Sequence, residues 1–143
     1  MPYRYLPDIA IADVAFEAWA DTSEGLFIAA ADATMNVMVG DLSSIAECEE
    51  RAVRAEEAEL DMLLFQLLQE LIFYKDAEKL LLRIKEIRIR RLEDRFALEA
   101  KACGEELDPS RHDLVVDVKA VTLHRFHVEH TAQGWKATVI LDI

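Results

Sequence analysis

Leu60, Leu63, Leu64, Leu67, Leu68, Leu71 and Ile72 recur at spacings of three and four through the segment from Ala58 to Asp76. On a helix with 3.6 residues per turn they share one wide apolar face, so this segment is a core-facing helix and needs another layer to cover it. Most of the remaining chain alternates with a period of two, the spacing of strands.

In the final ten residues, Gly134 to Ile143, Trp135, Ala137, Val139 and Leu141 fall on one side of an extended chain and Lys136, Thr138, Ile140 and Asp142 on the other. This predicts a buried strand. The sequence ends on it, so Asp142 and the main-chain carboxyl of Ile143 are expected at the rigid end of a core element. Two carboxyls and the Asp142 carbonyl would then sit on adjacent residues, to be solvated, paired or bound to a cation.

Tyr3 to Leu6, closed by Pro7 and Asp8, and Ala12 to Ala20 read as two further strands. The second has Val14, Phe16 and Ala18 on one face, Ala15, Glu17 and Trp19 on the other, and Asp13 at its start. Beyond Thr22, a predicted N-cap, Leu26, Ala29, Ala30, Ala33, Val37 and Met38 follow helical spacing to a stop at Gly40. Cys48 to Glu56 reads as an edge strand. Leu80 to Arg91 and Phe96 to Gly104 form a long hairpin turning near Glu93 and Asp94, and its alternation slips by one between Ile84 and Ile87, which predicts a bulge near Lys85 or Glu86. After a turn at Asp108, Pro109 and Ser110, Leu114 to Leu123 and Arg125 to His130 predict two strands around a tight bend. The expected fold is α+β: one domain over residues 1–143, a two-layer sandwich with a mixed, mostly antiparallel sheet and two helices on one face.

Sixteen basic against 28 acidic side chains leave a formal net charge of -12, which repels phosphate backbones and argues against direct nucleic-acid binding. A positively charged partner fits that balance. Cys48 and Cys103 form no CxxC pair, consistent with two buried thiols in a reducing compartment. No apolar stretch approaches the roughly 20 residues that cross a bilayer, and the chain reads as soluble and cytoplasmic.

Chemistry-bearing motifs are few. His124, His127 and His130 have an HxxHxxH spacing, but on a strand the outer two lie about 20 Å apart and the middle one points the other way, so they do not close on a metal. These and His112, in a turn, read as surface or strand-edge imidazoles. There is no GxSxG, HExxH or phosphate-cradling glycine loop. The run Glu49, Glu50, Glu56, Glu57, Glu59 reads as a solvated face. Asp13 stands out at the mouth of an apolar strand: if the first strands neighbour the last, Asp13 and Asp142 approach each other and need a cation or proton between them. Lys119 is a lone cation within the apolar stretch DVKAVTLH, either snorkelling or functional.

The segments IADVAFEAWADT, QELIFYKDAE and DVKAVTLHRFHVEHTAQGWKATVILDI resemble the archease family in the same order, over Tyr3 to Ile143. Archeases are small proteins that assist the RtcB-type tRNA-splicing RNA ligase. The resemblance implies a non-enzymatic helper that promotes guanylylation of the ligase and restores it for further turnovers, the GTP and manganese chemistry belonging to the ligase. It further implies a divalent cation, calcium first with magnesium or manganese as alternatives, held by Asp13, Asp142 and a main-chain oxygen of Ile143. Lys119, Glu70 and Asp76 match family positions that would act on the partner. The chain departs from the family at Ala10 and Ile11, where a His-Thr pair is usual. It departs again at Ala15 and Ala20 in place of glycines, Leu123 in place of tyrosine, and Leu67 and Gln69 in place of tryptophan and asparagine. Two other readings stay open: a chaperone-like protein-binding module without the ligase role, and, ranked last, a metal-dependent hydrolase using Asp13 and Asp142, for which no activating base or substrate pocket is evident.

Overall fold

The leucine stripe is buried as predicted: in the computed structural model, Leu63, Leu64, Leu67, Leu68 and Leu71 are all fully inaccessible. The structure describes residues 2–7 and 13–143. In chain order these form β1 (Tyr3–Tyr5), β2 (Asp13–Ala20), α1 (Ser23–Met38), a 3-10 turn (Leu42–Ser44), β3 (Glu49–Glu57), α2 (Leu60–Glu78), β4 (Leu80–Arg91), β5 (Phe96–Glu106), β6 (Ala120–Thr131) and β7 (Gly134–Asp142). The Thr22 side chain accepts from the Gly25 N–H and caps α1, whereas the helix ends at Val39, one residue before the expected glycine. Asp8, Ala10, Ile11 and Ala12, which carried parts of the reading above, lie outside the described residues.

The α+β class with two helices is as expected, but the described strands divide into two sheets, and every pairing is antiparallel. One sheet has the order β1-β2-β7-β6 and the other β3-β5-β4. The reason lies in α1. Ala29, Ala30, Ala31, Ala33 and Met35 are all buried, so the apolar surface wraps most of this helix, leaving only a half-exposed strip at Ile28, Asp32 and Asn36, and a single sheet could cover only one side of it. Both helices accordingly touch both sheets, α1 against β2 and β4, α2 against β3, β4 and β6. The β4–β5 hairpin carries the predicted bulge, with the register shifting between Ile84 and Glu86, and β3 is the edge strand foreseen.

The stretch Leu114 to Leu123 corrects the sequence reading. Only Ala120 onward is strand, and β6 runs without a break to Thr131, absorbing the bend through Arg125 at φ 55° and a register shift between Thr122 and His127. After a turn from Asp108 to His112, residues 113–119 instead form an extended strap. It is held by single bonds: Gly40 N–H to the Asp113 carbonyl, Val115 N–H to the Met38 carbonyl, and Lys119 N–H to the Asp142 carbonyl. Alternating side chains report an extended backbone, not a paired one, which is why the strap looked like a strand. Of the cysteines, Cys103 is buried as expected but Cys48 is exposed.

Candidate functional site

Asp13 on β2 lies directly opposite Asp142 on β7, and Ala120 flanks Asp142 on its other side. Directly opposed residues project to the same face with Cβ atoms about 5 Å apart. Phe16 and Ala18 belong to the core, so alternation sends Asp13 to the outward face with Glu17, whose carboxylate binds Arg4 and Lys136. Hydrogen bonds from Lys136 and Arg4 hold the Glu17 carboxyl below its usual range. Among the described residues no cation pairs with Asp13 in this way. Both Asp13 and Asp142 are half-buried, as is Ile143 just beyond the strand.

Like charges in directly opposed positions are destabilising unless something stands between them. The donors here are all oxygens, which suits a hard divalent cation. Among the described residues no three His, Cys, Asp or Glu side chains gather as a metal cluster, so an ion at this rim would rest on two carboxylates completed by main-chain oxygens and water. The Asp142 carbonyl, one of the oxygens expected there, is engaged by the Lys119 N–H at 2.8 Å.

Lys119 is exposed and sits immediately before β6, not inside a strand as its apolar neighbours implied. Asp76 lies at the end of α2, its carboxylate 2.6 Å from the ammonium of Lys75. Lys75 was missed from sequence, yet its spacing from Leu71 and Ile72 puts it on the apolar stripe, and a lysine there was the available signal. Its ammonium is buried, and it donates to Asp117 and to the Val118 carbonyl of the strap. A chain of contacts thus runs from Asp76 through Lys75 and the strap to the Lys119 backbone and Asp142. Glu70 does not join it. It stands between Gln66, bonded to Glu57, and Tyr74, beneath Arg51, on the flank of α2 that meets β3.

His124, His127 and His130 on β6 are exposed, as the surface reading expected, with His130 stacked on Trp135 at 4.0 Å between ring centroids and His127 3.8 Å from Glu129. His112 is different: its ring is fully buried, contrary to a surface reading. Nδ1 accepts the Asp108 N–H, so the proton is on Nε2, which donates to Glu105. Arg111 and the Ala46 N–H also bind Glu105, and these partners, Arg111 foremost, push its carboxyl down to about 2. A carboxyl lowered on folding stabilises the protein above its unfolded value of 4.5, a contribution lost as pH falls toward 2. The expected result is an acid limb of thermal stability between those values that is shallower in Glu105→Gln than in the parent, read by melting temperature against pH.

Comparison with known proteins agrees with this fold. The model of the Archease protein family (MTH1598/TM1083) matches residues 3–143. The chain is 36% identical to protein archease of Pyrococcus abyssi over 133 residues, 92% of this chain and 93% of that one. It is 34% identical to protein archease of Methanosarcina mazei over 142 residues, covering 99% and 95%. The solution structure of Methanobacterium thermoautotrophicum protein 1598 superimposes with a TM-score of 0.85 at 32% identity, covering 99% of each chain. A Thermotoga maritima archease, described as a possible chaperone, shares the fold at a TM-score of 0.61 and 18% identity, covering 96% of each chain. On the family match over nearly its whole length and on these relatives, the chain belongs to the archease family.

Proposed function

We propose that this protein is a non-enzymatic accessory factor of an RtcB-type tRNA-splicing RNA ligase, promoting its guanylylation and turnover. In this reading a divalent cation, calcium before magnesium or manganese, is held by Asp13, Asp142 and a main-chain oxygen of Ile143. The observation that carries the reading is the register of β2 on β7, which sets Asp13 opposite Asp142 with oxygen donors only. A bound cation relieves the repulsion between the two carboxylates and stiffens the rim. Lys119, tethered to Asp142 through its backbone, and Asp76, beyond Lys75, would then present fixed charges to the ligase. The net charge of -12 complements a partner whose RNA-binding surface is basic. Glu70, on the flank facing β3, would contribute from a separate surface. Among the described residues no helix is long and apolar enough to cross a membrane, in keeping with a cytoplasmic role.

The test mixes the protein with its cognate ligase, GTP and manganese and follows ligase guanylylation. The intact protein accelerates the reaction, and Asp142→Ala abolishes the acceleration. Calorimetric titration with calcium, magnesium and manganese should show affinity lowered by about tenfold or more in Asp13→Ala and Asp142→Ala. No acceleration by the intact protein, together with capture of other proteins without nucleotide, would favour the chaperone-like reading that the description of the Thermotoga maritima relative supports.

A further inference from the structure

The strap exposes three consecutive apolar residues, Leu114 and Val116 at 38% and Val115 at 64%. Behind them lies a cavity of about 220 Å³ lined by Met38, Leu81 and Leu107, with Lys75 and Asp117 also on its wall. That volume is below the roughly 300–1,000 Å³ of small-molecule sites and suits one large apolar side chain. The charged groups beside it leave a negative surplus. The Lys75 charge is consumed by Asp76 and Asp117, whose own carboxylates are 57% and 64% exposed, and Asp113 is exposed beside Leu114. An apolar recess with surplus carboxylates repels phosphate and anionic lipid, and it repels a second copy of a chain whose net charge is -12.

We infer that Leu114, Val115 and Val116, with the cavity behind them, form a docking site for a partner-protein segment in which one large apolar side chain is flanked by arginine or lysine. The apolar side chain fills the cavity against Met38 and Leu81 as a desolvated anchor, while its basic neighbours meet Asp117 and Asp76 at the solvated margin. Docking there presses on the strap, whose far end carries Lys119 and its bond to Asp142, so engagement of the partner is mechanically joined to the cation rim. Only the naming of the partner as the ligase rests on the function proposed above.

Two measurements test this. First, the isotopically labelled full chain is titrated with a short peptide bearing one leucine between arginines, and with the same peptide bearing glutamates instead. Backbone amide signals of Leu114 to Asp117 and of Lys75 should shift with the arginine peptide, and the glutamate peptide should bind at least about tenfold more weakly. Second, Val115→Arg should weaken binding of the ligase by about tenfold, and Val115→Ser by less, with circular dichroism unchanged because this side chain is mostly exposed. Strap signals unmoved by the arginine peptide overturn the inference, and ligase binding unchanged in Val115→Arg overturns the ligase as the occupant of this site. If the arginine peptide seats on the strap but the ligase does not bind the intact protein, the docking site stands and the ligase role falls.

Discussion

Gly104→Ala is expected to destabilise the protein by about 3 kcal/mol or more, read as a lowered urea midpoint at unchanged slope. Gly104 pairs with Leu82 in the β4–β5 ladder and with Glu49 of β3. A Cβ added there would lie 1.7 Å from the Leu81 carbonyl oxygen, 2.7 Å from its carbon and 3.0 Å from the Leu82 Cα. All three are main-chain atoms, so no side chain can swing aside. The strands must separate, and that strains ladder bonds and displaces Leu81 and Leu82, both fully buried. The glycine is required by close approach of backbone to backbone, since its φ lies outside the left-handed range.

Lys75→Met is expected to lower stability by about 1–3 kcal/mol and to weaken cation binding at the distant rim as well. Methionine preserves most of the volume, which isolates the loss of the charge. The main cost falls on the Val118 carbonyl, left without the buried donor that satisfies it now. Asp76 and Asp117 are more than half exposed, so water recovers much of what their ion pairs lose. Burial works against the Lys75 charge, but its hydrogen bonds to Asp117 and Asp76 outweigh that and hold its pKa above 10.5. A lysine raised on folding contributes fully below that value, so the deficit of the variant is present at neutral pH and shrinks only as pH climbs through the folded value. Amide exchange should speed up at Lys119, whose N–H holds Asp142, and calorimetry with calcium should show reduced affinity. Normal exchange at Lys119 with full cation affinity would show that the strap end is not positioned by Lys75.

Period and spacing alone determined much of this protein. The leucines of α2 occur every three or four residues and cannot face one way on anything but a helix. Trp135 to Leu141 alternate, and the slip between Ile84 and Ile87 marked the bulge, because a strand that gains one residue must exchange its faces. Asp13 and Asp142 were each recognisable as strand-end acids, and the family likeness in the IADVAFEAWADT and GW to ILDI stretches covers the same two positions.

The tertiary structure alone decided what lies beside what. Register between strands more than a hundred residues apart set Asp13 against Asp142, and local alternation carries no information about pairing partners. The division into two sheets followed from how the wide apolar surface of α1 had to be covered on more than one side. Lys75 became a buried clamp on the strap because folding brought Asp117 and the Val118 carbonyl, 42 and 43 residues further along, to its ammonium, and His112 became a buried donor because a turn folded it back onto Glu105. Burial of a polar side chain is tolerated only where distant groups satisfy it, so such positions become visible only once the chain has closed on itself.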